Sequence, residues 1–147
     1  ARLGGVAPFS AGPDRSAAAA YLRAHTDPGE RVLSATGRHD RIVLNDSSLY
    51  FLAQRLPGTR WHHYDPGVQT SAAVQAEMIA ELERWRVRWI ARDSSADERI
   101  EPNQSAVSSG VHLLDDYIAS HFRAVERCGA ITILERSLWA DGARAGR

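Results

Sequence analysis

Side chains able to do acid–base, ligand or stacking chemistry gather in two short runs, Arg38-His39-Asp40 and Arg60-Trp61-His62-His63-Tyr64-Asp65, with Asp93 further on. Asp40, Asp65 and Asp93 each fall at or just beyond the end of a predicted strand, which in a doubly wound sheet is where ligands bind. Carboxylate beside imidazole is the pairing of general acid–base catalysis or of a metal site. A ligand set would join His39 and Asp40 to His62 or His63. One ion cannot readily take both of the latter, because adjacent strand residues point to opposite faces. Arg38 and Arg60 could neutralise a phosphate or carboxylate at the same edge, and Trp61 or Tyr64 could stack on a sugar or base. The plainer reading stands beside each: Asp is a common cap and turn residue, and the histidines are then ordinary polar residues at a strand end. The sequence therefore offers Arg38, His39, Asp40, Arg60, His62, Tyr64, Asp65 and Asp93 as a ligand-binding rim. It names no catalytic residue, no metal and no cofactor.

The elements that must position this rim follow from periodicity. Residues 1–13, rich in Gly and Pro, form a lead-in, and Asp14 fits an N-cap for a helix over Ala17 to His25. Arg31 to Ala35 is a strand closed by Gly37, and Ile42 to Leu44 is a short strand or an inserted turn. A largely apolar helix, Leu49 to Ala53, should be mostly buried and stops at Pro57-Gly58. Thr59 to Tyr64 is the next strand. Capped by Thr70 or Ser71, a helix then carries Val74, Met78, Ile79, Leu82 and Trp85 on one stripe. Val87 to Ala91 is a third strand, residues 93–109 a long polar loop, and Val111 to His121 a last helix with Leu114, Tyr117 and Ile118 inward. Two strands, Phe122 to Glu126 and Ala130 to Glu135, flank Cys128-Gly129 as a hairpin, and residues 137–147 read as a frayed tail. This order predicts one α/β domain over residues 14–136, a three-layer sandwich with a mainly parallel sheet and a C-terminal antiparallel hairpin.

Bulk chemistry narrows the function. The chain has 147 residues and balances 18 basic against 18 acidic side chains, so no global field draws in nucleic acid or an anionic bilayer. Every basic residue is Arg. Without Lys, a Walker-type phosphate loop and imine chemistry are excluded. G-x-G-x-x-G, G-x-S-x-G, H-E-x-x-H and C-x-x-C strings are missing as well, so dinucleotide, hydrolase-elbow, zincin and thioredoxin readings lose their main signal. Cys128, the single cysteine, can form no internal disulfide. No 18-residue apolar run occurs. The chain begins with Ala rather than Met, as would a domain excised from something longer or a chain from which a tag had been removed.

The order of the central and closing segments carries a resemblance. Leu49 to Leu52 with Gln54 and Arg55, then Pro57, Thr59 and Arg60, and later Tyr117, Ile118, Phe122 and the Glu126 to Glu135 segment, together resemble a known soluble domain. It is the C-terminal domain that follows the transmembrane helices in bacterial polytopic glycosyltransferases of the dolichyl-phosphate-mannose protein mannosyltransferase type. The pattern spans Tyr21 to Arg136 and is one of packing. It implies a small α/β sandwich on the extracytoplasmic face of the cell envelope. The catalytic acid of such enzymes lies in a loop between early membrane helices, so none is carried over here. The segment Arg38 to Asp46 departs from the pattern.

The expected function is thus a non-catalytic accessory domain that covers the active site of a membrane glycosyltransferase or binds acceptor glycan or protein. Its partners would be the membrane-embedded part of the same polypeptide and a lipid-linked sugar donor or acceptor, with no nucleic acid. The alternatives are a small self-contained α/β enzyme using Asp and His at strand ends, and an anion-binding regulatory module working through Arg38 and Arg60.

Overall fold

A computed structural model describes residues 12–41 and 45–139. Its helices are α1 (Pro13–His25), α2 (Ser48–Ala53), α3 (Ala72–Arg84) and α4 (Leu113–His121). The strands are β1 (Arg31–Thr36), β2 (Leu56–Pro57), β3 (Trp89–Asp93), β4 (Phe122–Cys128) and β5 (Ile131–Arg136). They form one five-stranded sheet in the order β2-β1-β3-β5-β4. Pairings of β1 with β2 and with β3 are parallel, whereas β5 runs antiparallel to β3 and β4. Parallel order at the start and a closing hairpin agree with the pattern read from the sequence.

Alternation along the strands builds two cores. Leu33 on β1 sits beside Ile90 on β3, which faces Leu134 on β5, and this row packs against Met78 and Leu82 of α3 and Leu114 and Ile118 of α4. One residue over, Val32, Trp89, Ala91 and Ile133 meet Ala18, Ala19 and Leu22 of α1 and Leu49 and Ala53 of α2. Both faces are covered, so neighbours along the chain, Val32 and Leu33 on β1 and Trp89 and Ile90 on β3, are buried on opposite sides. Burying each large aliphatic side chain contributes about 1.5–3 kcal/mol.

Several local expectations are corrected. Helix α1 starts earlier because Pro13 suits the first helical position, and Gly12 rather than Asp14 is its N-cap. The Asp14 carboxylate instead accepts from Ala130 N–H in the β4–β5 turn at 3.1 Å. Helix α2 buries Leu49 and Tyr50 but leaves Phe51 82% exposed, so it is one-sided rather than mostly buried. The strand expected over Thr59 to Tyr64 does not form. The ladder with β1 ends at Leu56 and Pro57, Gly58 N–H donates to Val32 O at 2.6 Å, and the chain then leaves the sheet. Strand β3 lies two residues later than expected because Arg86 and Val87 are still used in closing α3, with Val87 N–H donating to Leu82 O at 2.9 Å. Segment Ile42 to Leu44 lies outside the described residues, as do 1–11 and 140–147. Among the described residues, no helix is long and apolar enough to cross a membrane.

Candidate functional site

Strand β1 ends at Thr36, and the next four residues turn across the edge of the sheet instead of opening to solvent. Thr36 Oγ1 donates to Arg38 O at 2.7 Å, and Gly37 N–H donates to Asp97 Oδ1 at 3.1 Å. A Cβ at Gly37 would fall on that Asp97 carboxylate, so the close approach requires glycine. Arg38 grips Asp40 with two parallel bonds, Nε to Oδ1 at 2.6 Å and Nη2 to Oδ2 at 2.5 Å. Ser108 Oγ donates to Asp40 Oδ2 at 2.5 Å, and Ser109 N–H donates to Asp40 O at 2.8 Å. The Arg38 hydrogen bonds, with help from Ser108 and against burial, hold the Asp40 carboxyl far below the usual carboxylate range.

His39 is fully buried and reads Asp115, in the first turn of α4, twice: N–H to Oδ2 at 2.9 Å and Nδ1 to Oδ1 at 2.7 Å. Burial pushes the Asp115 pKa up, but the His39 hydrogen bonds and charge outweigh it and leave the acid below its ordinary value. An ionised Asp115 only accepts, so Nδ1 of His39 is the donor to it, and Nε2 is the nitrogen on the far side of the ring. That Nε2 is buried without a hydrogen-bond partner among the described residues, and so is the hydroxyl of Tyr64, whose ring lies edge-on to His39 at 5.8 Å. The Asp-His pair has the orientation of a proton-accepting dyad, but the imidazole is fully buried and only the Asp115 side chain, 25% exposed, reaches solvent. Asp40, His112 and Asp115 place potential metal-ligating atoms within 4.8 Å of one another. In the structure these acids act as ties: His39 joins the segment after β1 to Asp115 of α4, and Asp40 joins it to Ser108 and Ser109 ahead of that helix.

The remaining sequence candidates are spread apart. Arg60 is exposed, pairs with Glu77 and lies over Trp61 at 4.8 Å. His62 is exposed and its Nδ1 meets Arg60 O at 3.1 Å. Asp65 is exposed 3.8 Å from His63 and ends no strand. Asp93 does close β3, directly beside Thr36, but its carboxylate accepts from Ser95 N–H at 2.8 Å and faces the start of α1. Only Arg38, His39, Asp40 and Tyr64 come together.

Buried amides missed in the sequence hold the irregular stretch after β2. Asn45 Nδ2 donates to His62 O at 3.1 Å while its Oδ1 accepts from Tyr64 N–H at 2.9 Å. Gln69 Oε1 accepts from Asp65 N–H at 2.8 Å, and its Nε2 reaches His63 O at 3.3 Å. Gln75, fully buried on α3, donates to His39 O at 2.9 Å and Val111 O at 3.3 Å and accepts from Leu114 N–H at 3.0 Å. These side chains satisfy backbone groups that no sheet ladder reaches. The signal available for Asp115 was the His112-x-x-Asp115 spacing at a helix start, which puts both on one turn.

No protein-family model and no curated protein matches the chain. Among solved structures it is similar to the C-terminal globular domain of an oligosaccharyltransferase from Archaeoglobus fulgidus, with a TM-score of 0.49 and 11% identity over 88% of this chain and 100% of that one.

Proposed function

We propose that this chain is a non-catalytic accessory domain of a membrane glycosyltransferase, held at the extracytoplasmic face, where it covers the active site or receives acceptor. The observation that carries this reading is the internal pairing of the acids after β1 and at the start of α4: Arg38 and Ser108 bond the Asp40 carboxylate and His39 that of Asp115. Acids so tied are poor bases and poor nucleophiles. Several residues that carry the family resemblance are packing residues: Leu49, Tyr117, Ile118 and Phe122 are buried, and buried Arg55 bonds the Thr26 hydroxyl and carbonyl. Chemistry then belongs to the membrane-embedded part of the same polypeptide.

The test is the coding sequence upstream of Ala1, followed by a transfer assay. Several in-frame membrane spans upstream, no sugar transfer by the isolated chain, and loss of transfer when residues 12–139 are deleted from the whole protein would support the proposal. A soluble in-frame neighbour, or turnover by the isolated chain that Asp40→Ala abolishes, would sink it in favour of a self-contained enzyme.

A further inference from the structure

The arginines first considered for anion binding, Arg38 and Arg60, are both neutralised by carboxylates. At the opposite end of the sheet the balance differs. Arg31 opens β1, Arg88 stands one residue before β3, and Arg86 follows the C-cap of α3. Together with Trp85 and Trp139 they line a cavity of about 390 Å³. The Arg31 guanidinium lies over the Trp85 ring at 4.1 Å and that of Arg86 over Trp139 at 4.4 Å. A guanidinium stacked on an indole keeps its N–H donors in the plane, free to point at a ligand. Arg31 spends one donor on Pro57 O at 2.8 Å, and neither Arg31 nor Arg86 has a carboxylate partner among the described residues. Arg88 and Arg123 share one carboxylate, Glu135, whose pKa the Arg88 hydrogen bond lowers.

Arg86 also sits at φ 49°, in the left-handed region, at a helix end where glycine is the usual occupant. Gln54 ends α2 in the same region at φ 55°, so it is the placement of Arg86 beside Trp139 that sets this position apart. Glu30 lines the same wall, and its Oε2 is buried without a hydrogen-bond partner among the described residues, an acceptor suited to a ligand hydroxyl.

We infer that this cavity binds a phosphate group carried on a hydroxyl-bearing skeleton, with Arg31, Arg86 and Arg88 as donors and Trp85 and Trp139 as walls. The phosphate is that of a sugar phosphate or of a lipid headgroup. It is a site separate from the β1–α4 fastening and does not depend on the glycosyltransferase reading.

Calorimetric or NMR titration of the chain with inorganic phosphate and glucose 1-phosphate, and sedimentation with phosphatidylglycerol against phosphatidylcholine vesicles, test it. Binding to at least one anionic probe is expected, weakening as salt rises. Arg86→Gly should weaken it about tenfold or more while the melting temperature holds or rises, because glycine relieves the left-handed backbone. Trp139→Ala should weaken it as well. Soluble probes binding alone identify a sugar phosphate, and vesicles alone a headgroup. Failure of every anionic probe at millimolar concentration overturns the inference, and so does binding that Arg86→Gly leaves unchanged.

Discussion

Asp40 and Asp115 are ionised acids held by N–H and O–H donors, and acid removes that hold. Their folded pKa values lie below the ordinary 3.8, so their contribution to stability is complete above that value and is lost as pH falls through the depressed folded range. Urea midpoints should therefore drop steeply below about pH 4. Asp40→Asn should flatten that slope and cost about 2 kcal/mol at pH 7; equal midpoints for variant and parent would show that the Arg38 pair is idle. Gln75→Ala strands three backbone groups in the interior, and denaturation should show a loss of about 3 kcal/mol. Arg38, His39 and Asp40 were legible as a strand-end cluster because a local pattern places them. Asp115 and Gln75 were not, since their bonds to this cluster cross 76 and 36 residues of sequence.

Among elements, the segment after β2 shows where pattern reading fails. Thr59 to Tyr64 has the alternation and aromatic content of a strand, but Pro57 and Gly58 turn it off the sheet before a ladder can extend. Asn45 then does by side chain what a neighbouring strand would have done. Asn45→Ala should keep the fold, lose about 1–3 kcal/mol and abolish hydrogen-exchange protection at the Tyr64 amide. Persistent protection there would assign the order of this stretch to packing instead. The amphipathic helix α3 and the closing hairpin were legible because their signals are local: a 3.6-residue stripe, and Gly129 at φ 60° in a two-residue turn.

For the whole molecule, one sheet with a core on each face means that β1, β3 and β5 belong to both. Val32→Ala and Leu33→Ala, facing opposite layers, should destabilise by about 1–3 and 2–5 kcal/mol respectively. Both should still unfold in a single transition with coincident fluorescence and circular dichroism curves. Separate transitions would mean that the layers melt independently. The layered class was legible from the alternation of short strands with helices, and the exposure of Phe51 was not, since composition alone does not say which face of α2 is covered. Asp14 fastens the start of α1 to the β4–β5 turn at one end of the strands, whereas Trp139 lies against Arg86 and Arg136 at the other. These two contacts bracket β5, so the strand that lies between β3 and β4 is fastened by side chains at both of its ends. Fraying of β5 from either end would first have to break one of these fastenings, so local opening should begin elsewhere in the sheet.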